Sequence, residues 1–587
     1  GAGPPRARAR APRRGPRGGW PSRRSFFRCP PPMRRTAVGI DLGTVDVFAA
    51  NVGRKGVDIV QNGVSERRTP ALVSFTDRRR LLGPDAHAQI KSNCKNSCRS
   101  LKHLLGVEPD SPATEGERFW SLCPLGAAPD GDVGYEVNYC GEKRCFSAKV
   151  CLAMLLTSVV ATCKAWTQME VRDVVLAIPL YFSERARQAC LDAMRIAGIT
   201  CLRLLHDTTA LALAWRFDRL GSEGGDSAPI VVAFVSAGQS ALSVAIARFH
   251  QGSVTVLAEA YDTMVSGREM DRMIVDMFAA SLRKQGAPDP LASAKARLKL
   301  EEAATKVKKT LSVVDEARGT AECVVEDFDL GCDVKRAAFE EGLAPWAEKV
   351  NAVVAQVLSA AELAPADLKY VEIVGGVSRV PWLQRALREA FGGKELSTTL
   401  NADEAVARGC AWQAAMLSPL IRLNQIPVQE CGHLGLAFEW PDAAKVEAAD
   451  AELVEGGRRR LVVFTQAGPG SEAEVALRCQ GTLALSAVYL SRGAAAAVGA
   501  SLGTWTLKFP NKQMEDVEIH CSIDVNGLFT ISKVDLCIGK QAEEEARALA
   551  AEEEAAAVAA AEEARARAAE AAAAVIEQQV EAQAAEE

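Results

Sequence analysis

The chain has 587 residues, 48% of them apolar, a formal net charge of −5 and 17 cysteines. That length exceeds what one hydrophobic core serves, so several domains are expected. The near-balanced charge gives no ground for a nucleic-acid partner; no run approaches the about 20 apolar residues of a membrane span; and scattered, odd-numbered cysteines without a Cys-x-x-Cys pair argue for reduced packing thiols rather than a disulfide or zinc framework.

Residues 1–35 hold many Arg and Pro and no acid. Such a segment is too polar to pack and reads as a disordered basic leader. A transit peptide, a basic nucleic-acid arm and a translated leader upstream of a start at Met33 are the three readings, and the last is favoured. It predicts a cytoplasmic or nuclear protein; an organelle follows only from a genuine transit peptide.

The apolar Ala37-Val38 then opens the turn Gly39-Ile40-Asp41-Leu42-Gly43-Thr44. Strands are expected at 57–60 and 71–75, a helix ending near Gly106, and a helix over 147–168 from its apolar spacing. Val174–Ile178 reads as a buried strand stopped by Pro179. Ser183 is positioned to cap a helix that runs to Gly198. A Gly/Ser/acidic hinge at 221–226 separates this from a second β-branched run, Val231–Val235, which ends in the turn Ser236-Ala237-Gly238-Gln239-Ser240. Helices are expected around 268–286 and 291–311. A third glycine turn, Val374-Gly375-Gly376-Val377-Ser378-Arg379, precedes a helical stretch over 382–418. Glycine lets a backbone approach a phosphate and aim its N–H groups at it. Turns so far apart therefore suggest two similar lobes gripping one nucleotide.

From about 424 the pattern alternates with period two, as in Leu483–Leu490 and Val517–Ile523, which predicts a β-sandwich. The stretch 441–460 reads as a loop, acidic then basic. Residues 541–587 are nearly all Ala, Glu, Arg and Gln without Gly or Pro. They predict a helix with too few large apolar residues for a core-facing stripe, and so a partial lid, a spacer or a solvated tail.

The ordered set Gly39–Thr44, Ala177-Ile178-Pro179, Leu205-His206-Asp207-Thr208-Thr209, Ile373–Pro381 and Asn401–Gly409 resembles the 70-kDa heat-shock chaperone superfamily. Ile523-Asp524-Val525-Asn526-Gly527 is similar to its substrate-binding β-domain. Thr208, in place of the usual Pro, and Arg268, in place of an acid, resemble the 110-kDa heat-shock branch. The resemblance implies an α/β, actin-like, two-lobed ATPase domain with ribonuclease-H-like lobes over 36–420. Lobe I would span about 36–220 plus 396–420, and lobe II about 225–395. A linker at 421–427, a β-sandwich substrate-binding domain at 428–540 and a C-terminal helix at 541–587 would follow. No leucine-rich linker is present; Asn424-Gln425-Ile426-Pro427 stands there, so coupling between domains is expected to differ.

The implied cofactors are ATP or ADP with Mg2+. Asp41 would hold the metal through waters, and Gly43 and Thr44 would contact phosphate. Lys102 and, more weakly, Asp207 are the catalytic candidates, Lys102 facing the γ-phosphate and Asp207 replacing a Glu. In the second turn Gly238 and Ser240 remain phosphate contacts, but Ser236 replaces a catalytic Asp. Losing such an electrostatic group costs on the order of 10²–10³ in rate, so at most weak ATPase activity is expected. Adenosine would lie between Lys308, Lys309 and Ser312 on one side and Gly375, Gly376, Ser378 and Arg379 on the other, near Asp403. A solvated basic face for 306–309 and a helix N-cap at Asp403 are the plainer alternatives. Thr305 replaces a ribose-contacting Glu. The implied partners are a 70-kDa heat-shock chaperone, whose nucleotide release the 110-kDa branch accelerates, and unfolded polypeptide clients, with no nucleic acid and no membrane. A weak ATPase foldase and a degenerate nucleotide-free paralogue are the alternatives.

Overall fold

The computed structural model describes residues 34–537 apart from 221–227, 422, 424, 433, 455, 491–500 and 510–513. The basic leader up to residue 33, the expected hinge and the expected helix over 541–587 lie outside the described residues.

Two α/β lobes share one strand order. In the first, the sheet runs Thr200–His206, Glu170–Ile178, Arg35–Leu42, Asp46–Gly53, Gly56–Ile59. In the second it runs Leu396–Ser397, Tyr370–Val374, Ile230–Ala237, Leu242–His250, Ser253–Asp262. Each lobe begins with an antiparallel meander and then adds two strands parallel to its first strand. Parallel neighbours need long crossovers, and helices supply them. Ala148–Thr167 and Glu184–Ile196 do so in lobe I; Gly267–Lys284, Ala294–Leu311, Trp346–Ala360 and Pro381–Ala390 do so in lobe II.

The local signals act as elementary chemistry dictates. Ser183 caps Glu184–Ile196, its hydroxyl accepting from the Ala186 N–H at 3.3 Å. Met270, Ile274, Phe278 and Leu282 recur at helical spacing and are buried. Helix Ala148–Thr167 corrects the membrane count: its 20 residues are apolar and long enough to cross a bilayer. Leu152, Leu155, Leu156 and Val159 instead pack into the lobe I core.

The lobes meet on helices Asp207–Leu220 and Ala405–Leu417, whose apolar faces form a core with Ala37, Val175, Phe234 and Val374. The helices cross at Gly409, where a Cβ would lie 1.8 Å from the Ala210 carbonyl oxygen. Only glycine permits that approach.

After the lobes, two antiparallel sheets enclose a further core around Phe438, Trp440, Leu485 and Ile519. One contains Leu434–Pro441, Arg458–Ala467, Thr482–Tyr489 and Ser501–Lys508; the other contains Glu472–Cys479, Glu515–Ile523 and Phe529–Cys537. Val517, Ile519, Cys521 and Ile523 point inward and alternate with more exposed residues.

Three boundaries differ from expectation. Leu396–Ser397 pairs in the lobe II sheet rather than lobe I. Val428–Gln429 does not open the following β-domain: it pairs with Val254 and Thr255, extending the lobe II sheet at its edge. The stretch 441–460 contains strands Val446–Glu447 and Glu452–Val454 instead of being wholly loop. In each case an unpaired sheet edge recruits a segment whose own sequence is uninformative.

The β-domain is fastened to lobe I. The Asn526 carbonyl accepts from Arg187 Nη1 at 3.1 Å, and its side-chain oxygen accepts from the Leu204 N–H at 2.9 Å. The Tyr489 hydroxyl accepts from the Glu184 N–H at 3.2 Å. Glu430, buried just after the added strand, pairs with Arg203 at 2.6 Å. His206 Nδ1 lies 3.1 Å from Glu259 and 4.0 Å from Glu430. Burial alone would raise the Glu430 carboxyl, but its neighbours His206 and Arg203 hold it below its ordinary range.

Candidate functional site

The first strands of the two lobes end at the glycine turns, and the space between them is a cavity of about 200 Å³. Ligands of open α/β sheets commonly sit beyond the carboxyl ends of such strands. Asp41, Gly43, Thr44, Lys102, Asp207, Gly238, Ser240, Gly375, Gly376 and Asp403, ten positions singled out in the sequence, line this cavity together with Ser236. Gly375 has φ 88° and ψ 157°, and a Cβ there would lie 2.3 Å from the Ala237 carbonyl oxygen. At Gly43 a Cβ would lie 2.2 Å from the Asp46 carbonyl oxygen. Both turns thus keep backbone, not side chain, at the cavity wall.

Asp41, Asp207 and Lys102 converge on this cavity from separate elements of lobe I. Lys102 lies in the 3-10 turn Leu101–Leu104, not a longer helix, and its ammonium donates to the Leu42 carbonyl at 3.1 Å. Burial raises both carboxyls to about 6; Lys102 opposes this in each, while Asp207 adds to the rise at Asp41 and Glu259 to that at Asp207. Two carboxylates forced together out of water favour a proton or a bound cation. No cluster of three or more His, Cys, Asp or Glu able to hold a metal occurs among the described residues. A cation here would therefore keep most of its water shell, as Mg2+ does. The buried Tyr181 side chain also borders the cavity. An oxygen-rich ligand carrying a hydrated cation fits this end.

The adenosine side expected from the sequence is not assembled in the same way. Lys308 is buried; its ammonium forms an ion pair with Asp271 Oδ1 at 2.9 Å and donates to the Gly267 carbonyl at 2.7 Å. The Ser312 hydroxyl donates to the Lys308 carbonyl at 3.1 Å, and the Ser378 hydroxyl to the Gly375 carbonyl at 2.7 Å. Lys309 is exposed, its charge reaching Asp46. Arg379 and Asp403 pair with each other at 3.0 Å. Helix Ala405–Leu417 begins after Glu404, so Asp403 is not its N-cap. Thr305 faces a neighbouring cavity of about 440 Å³, beside Leu298 and Trp120.

The sequence points to no site role for four residues that the structure brings here: His103, Glu117, Gln239 and Arg268. His103 Nε2 lies 2.8 Å from the Ser240 hydroxyl and 3.4 Å from the Thr44 hydroxyl, and those two hydroxyls bond each other. Burial, and then the charges of Arg268 and Lys102, push the His103 imidazole well below its usual value, so it is neutral near pH 7. Glu117 lies 3.7 Å from His103 Nδ1 and is bonded by Arg268 across the lobes. Arg268 stands out in the sequence only as an exchanged charge, and His103 only as the neighbour of Lys102.

Comparison with known proteins agrees with this architecture. The Hsp70 protein family matches residues 37–587. Heat shock protein hsp88 of Neurospora crassa is 36% identical over 431 residues, 73% of this chain and 61% of that protein. A heat shock protein homolog of Lachancea kluyveri is 36% identical over 402 residues, 68% of this chain and 58% of its own length. Heat shock 70 kDa protein 4 of Homo sapiens is 30% identical over 514 residues, 87% of this chain and 60% of its own length. The chain thus spans about three fifths of the relatives it matches. A match over nearly the whole chain, on lobes that bring the motif residues to one cavity, leads to one conclusion: this chain belongs to the Hsp70 family, and within it resembles the 110-kDa heat-shock branch.

Proposed function

We propose that the protein is an ATP-binding co-chaperone that accelerates nucleotide release from a 70-kDa heat-shock chaperone and holds unfolded polypeptide on its β-domain. The observation that carries this reading is the split character of the cleft. The groups suited to a phosphate and a hydrated Mg2+ stand together: Asp41, Asp207, Lys102, Gly43, Thr44, Gly238 and Ser240. Ser236, which replaces the acid expected to organise the attacking water, supplies neither charge nor basicity. Binding tolerates that change better than hydrolysis does. The cation would supply charge neutralisation for the phosphates. Asp41 and Asp207 would orient its waters, and Lys102 would face the terminal phosphate. An actin-like ATPase unit would thereby act as a conformational element, its lobe angle setting the docking surface.

The fastened β-domain supports a fixed rather than cycling arrangement. Asn526, Tyr489 and Glu430 hold it to lobe I without a leucine-rich linker. The two facing sheets are read as a substrate-binding β-sandwich, and the working compartment as cytoplasm or nucleus. The test is paired. Calorimetry of Mg-ATP on the chain is expected to show Mg-dependent binding that Gly43→Asp abolishes. Release of a fluorescent nucleotide from a 70-kDa chaperone is expected to accelerate when the chain is added. Tight binding with no acceleration would sink the exchange reading.

A nucleotide-free paralogue is the second reading. It is favoured by Lys308, which is withdrawn into lobe II, and by the Thr44–Ser240 bond across the phosphate turns. Absence of any ATP binding would select it.

A further inference from the structure

The two phosphate turns are joined by the chain's own side chains. Thr44, His103 and Glu117 belong to lobe I; Ser240 and Arg268 belong to lobe II. A neutral imidazole offers one donor and one acceptor. With its Nδ1–H toward the Glu117 carboxylate, His103 presents the Nε2 lone pair to Ser240 at 2.8 Å. Thr44 can then donate to Ser240, Ser240 to His103, and Arg268 to Glu117, so that each hydroxyl proton has one acceptor. Ser240 is 6% exposed, and the His103 and Glu117 side chains 9% and 7%. Water therefore competes weakly for these groups, and an opened cleft would have to rehydrate all of them. Arg99 pairs with Glu301 at 2.7 Å and Lys91 with Glu302 at 2.8 Å across the same lobes. Those pairs flank the array, but the second is exposed and contributes little.

We propose that this chain closes its own cleft: the Thr44–Ser240–His103 hydrogen bonds, backed by Glu117 and Arg268, latch the two lobes together without nucleotide. The latch occupies the position between the phosphate turns, so an entering phosphate must break the Thr44–Ser240 bond rather than close an open cleft. The lobe angle, and any docking surface set by it, is then available at zero nucleotide. This does not depend on nucleotide binding, because its readout is the separation of the lobes.

The test uses the full chain with spin labels on unnatural amino acids at Asp77 of lobe I and Asp327 of lobe II, both exposed, and pulsed electron resonance distances. Without nucleotide, one narrow distance population is expected, and Mg-ATP should not shorten it. Ser240→Ala with Arg268→Ala removes a link on each side of His103. The open-to-closed ratio should then rise roughly a hundredfold, two factors of ten at about 1.4 kcal/mol each. A broad population in the nucleotide-free protein overturns the latch, whether or not Mg-ATP then contracts it. So does a folded double variant that stays as narrow as the parent. If the double variant loses cooperative thermal unfolding, the pair Ser240→Ala and Ser240→Thr decides: the hydroxyl-bearing variant must stay the narrower of the two.

Discussion

Lys308→Met tests whether this lysine belongs to lobe II or to a ligand. Its ammonium lies 2.9 Å from Asp271 Oδ1 and 2.7 Å from the Gly267 carbonyl, with Lys308 7% and Asp271 2% exposed. Burial lowers the Lys308 ammonium from its ordinary value, and the Asp271 carboxylate pulls it back. Methionine has similar length and restores neither contact. It leaves a buried carboxylate whose remaining side-chain donor among the described residues is Gln239 Nε2 at 3.0 Å. Removing one partner of a buried pair costs about 3–5 kcal/mol, whereas replacing both by apolar groups is often neutral. Urea unfolding of the chain should therefore lose that amount in Lys308→Met and recover most of it in Lys308→Met/Asp271→Leu. The coupling between the two sites is read from the double-mutant cycle. A single-variant loss below about 1 kcal/mol would refute the reasoning, since it would mean that water reaches Asp271. So would a variant of unchanged stability whose ATP affinity collapses, because Lys308 would then contact nucleotide.

Asp41 and Asp207 titrate near 6 in the fold against 3.8 in the unfolded chain. The native state binds more protons between those values, so their contribution to stability is greatest below about 3.8 and is lost as pH rises through about 6. Asp207→Asn should therefore stabilise the ligand-free protein at pH 8 more than at pH 5, measured by thermal unfolding. Mg2+ competes with the same protons, and its stabilisation should weaken as pH falls through about 6. Gly375→Ala combines a backbone conformation open almost only to glycine, which costs about 1–3 kcal/mol, with a Cβ 2.3 Å from the Ala237 oxygen. Calorimetric unfolding should show a loss above that range together with impaired ATP binding. Ser236→Asp should raise steady-state ATP hydrolysis by on the order of 10²-fold if the missing charge is what limits it; phosphate release at the parental rate would show another defect.

Much of the fold follows from signals near one another in the chain. Ser183 caps its helix through the amide three residues on, and the apolar spacing over 270–282 decides which helix face is buried. The glycine turns announce the cleft because close backbone approach excludes a Cβ, as at Gly43 and Gly375. Part of the candidate site was legible for the same reason: Asp41, Gly43 and Thr44 travel on one strand and its turn.

The rest depends on partners distant in sequence. Within 306–309 three lysines look alike on paper, and only the packing of Gly267–Lys284 against their helix brings Asp271 to Lys308. Val428–Gln429 becomes a strand because Ser253–Asp262 leaves it an edge, not because two residues carry strand propensity. His103 and Ser240 are 137 positions apart and meet only once the lobes close. Helices, strands and glycine turns follow from the sequence alone, because periodicity, capping and glycine sterics act over a few residues; that Ser236 stands in place of an acid follows instead from the resemblance to the 70-kDa chaperones. Tertiary structure alone decided which buried charges and hydroxyls pair, because desolvated polar groups must find partners wherever the folded chain places them.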